Sequence, residues 1–355
     1  MLNSRKYLFI TATAVLLMLF PAAGYPVQVS FYIGDVKLIR NGSATGVSMG
    51  ADLKSGDIIR TGSGAAAEIV YNDGSKISVK ENSSLRIGSS AIKGSDSPSL
   101  ISGRITGKFA KLKKGKNKVY TPTIVCAIRG TEFDVSVSKS GDSRVDLADG
   151  KLDINNPYGK VKLNRGQNVE SGIAEKPSRK SSGSPDQWQN KRDKELENAP
   201  GEKGEKYNSY MKNFSARNDE TRGSMDSYRG MVKGAKNKKD LDMAGNAIGT
   251  AAEKTEDDLI LNETANSAIE GIMDNFRGRK QDIYNTFEQV KRESNKVLEV
   301  QKQSYADIQA VMAEYQKAYE EIMGQFKKDS DMIKKGFDFD SVKPEIKKDK
   351  IESFK

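Results

Sequence analysis

No histidine and only one cysteine occur in the 355 residues, and these two shortages exclude more than any motif includes. Without histidine there is no side chain that ordinarily titrates near neutrality, no middle member for a Ser-His-Asp triad and no imidazole ligand for zinc. The lone Cys126 permits no intramolecular disulfide, so the fold must rest on its apolar core. Its neighbours Ile124, Val125, Ala127 and Ile128 mark it as a small buried residue, and it lies too far along the chain to be a lipid anchor. No run has the alternating oxygen ligands of a calcium loop. Gly46-Val47-Ser48-Met49-Gly50 matches a nucleophile elbow, but that motif requires a following helix and a histidine. Gly62-Ser63-Gly64 before Ala67 meets Asn72-Asp73-Gly74 too soon to open the helix of a dinucleotide site. Ser90 with Lys93 and Ser136 with Lys139 have serine-lysine spacing, which arises freely in a chain rich in both residues. The expectation is a protein with no catalytic residues, no metal site and no cofactor.

One apolar run stands out. Arg5 and Lys6 precede the largely apolar stretch from Tyr7 to Phe20, and Ala22 and Gly24 are small, so residues 1–24 read as an export signal cleaved near Tyr25. The run is shorter than the ~20 residues a spanning helix needs. Its removal takes the formal charge from +10 to +8, still basic.

Residues 25–175 read as an all-β domain. Val, Ile, Leu and Phe recur at alternate positions, and turn residues separate the runs. Phe31, Ile33, Val36 and Leu38 open the series, and Phe133, Val135 and Val137 share one face of a later strand. Asn72-Asp73-Gly74-Ser75 joins two such runs, and Asp-Gly favours the positive backbone angles of a tight hairpin.

Residues 176–203 are Ser-, Pro-, Gly-, Lys- and Glu-rich, with Trp188 the only large apolar side chain in a long stretch, and read as a disordered linker. Residues 204–336 have helical periodicity. Tyr207, Tyr210, Met211 and Phe214 form a first face, and Leu241, Ala244, Ile248 and Ala251 a second. From Asn262 to about Lys335 there is no proline, and Phe276, Ile283, Phe287, Val290, Val297, Ile308, Val311, Tyr315 and Ile322 follow a seven-residue register, predicting one long coiled-coil-like helix. Ser294, Gln301 and Ser304 interrupt that register, which leaves open an antiparallel hairpin within the chain or self-association through residues 262–335. A polar tail, 337–355, follows.

Gly34-Asp35-Val36, Gly56-Asp57-Ile58, Thr61-Gly62, Asp73-Gly74-Ser75, Gly103-Arg104-Ile105, Thr121-Pro122-Thr123, Arg129-Gly130-Thr131-Glu132-Phe133, Gly150-Lys151 and Gly166-Gln167 occur in an order and spacing that resembles the FecR domain from about Val29 to Val169. The resemblance implies an all-β periplasmic module, solenoid- or sandwich-like, in a family whose founding members relay the occupancy of an outer-membrane receptor to a sigma factor. The sequence departs from that plan by its helical second half, and no anti-sigma segment is expected ahead of the signal. Relay to a sigma factor is therefore not carried over, whereas export and contact with an envelope component are.

The signature also has a physical reading. Gly130 permits a backbone angle barred to other residues, Phe133 suits the core, and Arg129 and Glu132 are expected to pair where strands meet. Lys108, Lys111, Lys113, Lys114, Lys116 and Lys118 surround Gly115 in a basic loop. Such a loop either discourages edge pairing or attracts an anionic envelope polymer or lipid surface. Nucleic acid is disfavoured by export and by the absence of aromatics among the lysines. The functional expectation is an exported, periplasmic or outer-envelope-associated, non-enzymatic binding module or scaffold, whose partner is an envelope protein or an anionic polymer or lipid surface. The alternative is a periplasmic ligand sensor signalling to a separate membrane protein or regulator.

Overall fold

The computed structural model describes residues 27–110, 117–128, 130–179 and 183–336, with no side chain described at 326, 327 and 329–336. The expected signal and polar tail lie outside these residues.

Alternation of apolar and polar side chains produces two ladders. The first runs β4 (Asp52–Leu53), β1 (Val27–Ile33), β6 (Ala66–Val70), β7 (Lys76–Val79), β9 (Ser99–Lys108), β12 (Glu132–Val137), β13 (Ser143–Asp149) and β16 (Asn168–Ser171), each antiparallel to its neighbours. The second runs β3 (Ser43–Gly46), β2 (Val36–Arg40), β5 (Ile58–Thr61), β8 (Ser84–Arg86), β9, β10 (Asn117–Tyr120), β11 (Val125–Ile128), β14 (Lys151–Asn156) and β15 (Gly159–Asn164). Among the described strands, β9 and β10 alone pair in parallel.

β9 belongs to both ladders. Ser99 to Ser102 pair with β8, and Gly103 to Lys108 pair with β12. The change of ladder falls at Gly103, whose φ of +90° is unfavourable for any residue with a Cβ, and a Cβ there would strike Ser83. Val29, Ile69, Ile77, Ile105, Phe133 and Val135 from the first ladder and Leu38, Ile59, Leu85, Leu100, Val119 and Ile154 from the second form one buried core.

The expected hairpin at 72–75 is present, with Val70 opposite Lys76. Phe133, Val135 and Val137 all point inward and are fully buried. Phe31 and Ile33 do not: they are 53% and 57% exposed, because a register shift between Val29 and Phe31 moves the following side chains to the outer face.

Cys126 lies on β11 with no solvent exposure, and burial pushes its thiol up to about 12. A thiol reagent at pH 8 is expected to leave the folded protein unlabelled and to label it stoichiometrically in denaturant. Rapid labelling under native conditions would refute this packing.

The helices begin earlier than composition indicated. Within the stretch expected to be a disordered linker, Pro185–Asn198 forms α1, and Pro200–Gly223 forms α2. Ser184 and Gln187 close a capping box at the start of α1, and Trp188 and Leu196 bury its inner face. One aromatic and one leucine at helical spacing suffice to dock a helix whose remaining surface is polar.

α3 (Met225–Gly234), α4 (Lys238–Phe276) and α5 (Gln281–Gly336) follow. The long helix predicted from Asn262 is interrupted. A turn after Phe276 contains Gly278 at φ +71°, so the seven-residue register spans two helices. The chain divides into two compact units, Met1–Asn218 with Glu256–Lys302, and Asp219–Thr255 with Gln303–Lys355, so the boundary expected at 203/204 coincides with neither.

In the first unit, α4 and α5 pair within the chain through amides. Asn262 Nδ2 donates to Gln301 Oε1 at 2.7 Å, Ser294 Oγ donates to Asn262 Oδ1 at 3.0 Å, and Asn266 Nδ2 donates to Ser294 Oγ at 2.8 Å. Ser294 and Gln301, two of the three polar residues that interrupt the register, are thereby matched by polar residues of α4, whereas the buried Ser304 hydroxyl has no hydrogen-bond partner among the described residues. In the second unit, Met225, Val232, Ala244, Ile248, Ile308 and Val311 form an apolar cluster. Among the described residues no helix is long and apolar enough to cross a membrane.

Candidate functional site

The turn between β6 and β7 is held by its own side chains. Ser75 N donates to Asp73 Oδ1 and the Ser75 hydroxyl to Asp73 Oδ2, both at 2.9 Å. Asn117 Nδ2, at the start of β10, donates to Asp73 Oδ2 at 2.8 Å, and Ala110 N donates to the Ser75 hydroxyl at 3.1 Å. Burial is the largest single influence on the Asp73 carboxyl and opposes its ionisation. The hydrogen bonds from the Ser75 backbone, Asn117 and the Ser75 hydroxyl together hold it below the usual carboxylate range nonetheless.

Ser75 is 1% exposed and ties the turn to the residues that flank the basic loop. Ser75→Ala is expected to cost about 1–3 kcal/mol, because the Ala110 N–H loses its acceptor. Equilibrium urea unfolding followed by strand circular dichroism measures it, and an unchanged midpoint would contradict the assignment. The lowered Asp73 carboxyl contributes stability above its unfolded-state value, and this is lost as pH falls through the folded-state value.

Within the Arg-Gly-Thr-Glu-Phe block, Thr131 and Phe133 are packed in the interior. Arg129 lies outside the described residues, as do Lys111, Lys113, Lys114 and Lys116. Gly130 has φ +67°, as its expected role requires. Thr131 is buried, and its carbonyl accepts from Phe109 N at 3.1 Å. Phe133 stacks on Phe109 with centroids 5.6 Å apart. Glu132 is exposed and sits opposite Lys108 on β9, so it is not half of a buried pair. Lys118, expected in the anion-binding loop, instead gives its ammonium to Asp257 of α4 at 2.8 Å.

The turn residues Asp73 and Ser75 border a cavity of about 190 Å³ whose lining includes Tyr71, Asp96, Phe109, Asn117 and Lys118. Phe109 links it to the signature, and Asp73 and Ser75 link it to the hairpin. Among the described residues its lining carries the carboxyls of Asp73 and Asp96, and the Lys118 ammonium is matched by Asp257. Tyr71 is 8% exposed and its buried hydroxyl has no hydrogen-bond partner among the described residues. Burial first, then the charges of Asp96 and Asp73, push that phenol far above its ordinary range, so it stays a neutral donor.

A second set of residues went unrecognised in the sequence. Glu263 on α4 is 5% exposed and accepts from Ser89 Oγ at 2.6 Å, from Ser90 N at 2.9 Å and from the Ser90 hydroxyl, with Arg86 Nη1 at 3.7 Å. Lys203 on α2 donates to both oxygens of Asp142, at 2.9 and 2.8 Å. Tyr207 Oη donates to the Ser140 carbonyl at 3.0 Å, and Tyr120 Oη donates to Asp257 at 2.7 Å. The helices of this unit are therefore built onto the strands through a buried polar seam. One signal was available: Glu263 lies within the apolar run Leu259-Ile260-Leu261 to Ala265, where a carboxylate needs partners from elsewhere.

Comparison with known proteins agrees with the resemblance. The family model described as FecR protein matches residues 57–153, which is less than half of the chain and includes the hairpin, the cavity lining and the signature. No curated protein matches. Among solved structures, two crystal structures of a candidate anti-sigma factor from Parabacteroides distasonis ATCC 8503, at 1.65 and 2.50 Å resolution, are similar at 14% and 13% identity, each with a TM-score of 0.31. Each match covers 35% of this chain and 59% of the other chain.

Proposed function

We propose that this chain is an exported, non-enzymatic binding module of the cell envelope, in which the FecR-type strands supply the contact site and the helical segments of their own unit are docked on them. The observation that carries this reading is the cavity formed where the family-like Asp73–Ser75 turn meets Phe109, Asn117 and Lys118, with Phe109 stacked on Phe133 of the signature. A binding role fits a chain with no histidine, whose single thiol is buried and protonated at neutral pH.

A photoreactive side chain placed at the exposed Asn72 and activated in intact cells is expected to capture an envelope component. Recovery of the protein with the cytosol would overturn the reading.

A periplasmic sensor is the second reading, favoured by the Glu263 and Asp142 contacts. They give occupancy of the strands a physical route to the helices, which a tethered helical region would lack. Slowed amide exchange in α2 and α4 when a captured component is added back favours the sensor, and unchanged exchange favours the simple binding module.

A further inference from the structure

We propose that the exposed edge of β15 binds a linear acidic polysaccharide. The site is built from residues other than those of the Asp73–Ser75 turn, and it rests on the binding-module reading only for the exported location, which sets nucleic acid aside. Among the described strands β15 pairs with β14 alone, and its Lys160 and Lys162 are exposed on one face. Gly159 has the opposite parity, and on that other face the Lys176 stem comes within 2.8 Å of where a Cβ would stand. Along the edge itself the Arg179 guanidinium donates to the Lys162 carbonyl. Ser178 fixes this strip by exchanging both backbone hydrogen bonds with Glu170 of β16, each at 2.9 Å. Lys160, Lys162, Lys176 and Arg179 therefore straddle one strand edge, and all are exposed.

Their charge is uncommitted. None of the four forms an ion pair among the described residues. The β14–β15 pair holds one acid, Asp153, opposite Lys162. The acids of the next segment are already matched, Glu170 by Arg192 at 3.6 Å and Glu175 by Lys206 at 2.9 Å. The residues outside the described set add no net negative charge. Residues 1–26, 111–116, Arg129 and Lys180-Ser181-Ser182 contain no acid, and the tail, 337–355, has five acids against five lysines.

The arrangement selects the form of the partner. A small anion would meet exposed ammonium groups in water, where each contact is worth little. A chain with a negative group on each repeat meets Lys160 and Lys162, about 6.6 Å apart along the strand, together with Arg179, and its contacts act as one linked set. A flat bilayer would approach the face of Lys160 and Lys162 without the face that carries Lys176, and no large apolar side chain is exposed on β14 or β15 to enter it.

Titration of the full chain with polygalacturonate, with neutral dextran and with vesicles of phosphatidylglycerol in phosphatidylcholine tests the site. Saturable binding of polygalacturonate is expected, weakening as salt rises from about 0.02 to 0.15 M, with no binding of dextran. Lys160→Gln combined with Lys162→Gln removes two exposed, unpaired charges, so the melting temperature is expected to hold while the affinity falls about tenfold. Lys296→Gln combined with Lys302→Gln takes the same net charge from α5 and is expected to leave the affinity unchanged, which separates a local site from the pull of a basic chain as a whole. No saturable binding of polygalacturonate, equal binding of dextran, a preference for the vesicles, or an affinity that the β15 variant leaves unchanged or loses no more than the α5 variant would overturn the proposal. These results would not touch the envelope location, which the crosslinking experiment tests separately.

Discussion

Glu263→Ala is expected to destabilise the unit that contains the strands by about 3–5 kcal/mol, the cost of leaving a buried charge without its partner. Arg86 is 5% exposed and keeps its guanidinium inside after the carboxylate is gone, while Ser89 and Ser90 lose the acceptor of three donors. Glu263→Gln preserves volume and one acceptor and is expected to fall between the wild type and Glu263→Ala. Chemical denaturation gives the magnitude, and amide exchange at Ser90 gives the location. If Glu263→Ala unfolds at the wild-type midpoint, the helix is not seated on the strands in solution.

The second large effect belongs to Asp142, which is 1% exposed and receives the Lys203 ammonium on both oxygens. Asp142→Ala orphans a lysine that is itself 8% exposed, and a loss of about 3–5 kcal/mol is expected. It also removes the acceptor of Ile173 N at 3.0 Å and of the Ser140 hydroxyl at 2.9 Å. Lys203→Met in the Asp142→Ala background takes away the stranded charge and is expected to restore part of the loss. A double variant as unstable as the sum of its single variants would show that the two residues do not act as a pair.

The sequence made the strands legible because their information is local. Alternation announces a half-buried strand within a few residues, and Asn72-Asp73-Gly74-Ser75 announces its own turn. The exposed Phe31 and Ile33 were misread because a single irregular residue reverses the faces and leaves no compositional trace. Strand order was illegible for a different reason: β9 meets β7, β8, β10 and β12, and each pairing joins residues distant in sequence.

The candidate site was half legible. The family-like turn and signature drew notice to Asp73, Ser75 and Phe133, but Tyr71, Asp96 and Phe109 became neighbours only through the fold. The lysines point to an anionic partner, whereas Lys118, one of the two described lysines of that set, is engaged by Asp257, and Asp73 and Asp96 are among the described lining of the adjoining hollow. In the helices, composition averaged over 176–203 concealed Trp188 and Leu196, and a continuous heptad count ran across Gly278.

The amide and hydroxyl groups of Asn262, Asn266, Ser294 and Gln301 act together as a lock with one key. Sliding one helix along the other by a turn would break the Asn262–Gln301 bond and the double contact at Ser294 together, so the observed alignment is the one that joins all four. A foreign helix could invade only by presenting the same polar teeth at the same intervals, and an ordinary leucine-rich strand-mate would be rejected by the very positions that seemed to weaken the stripe.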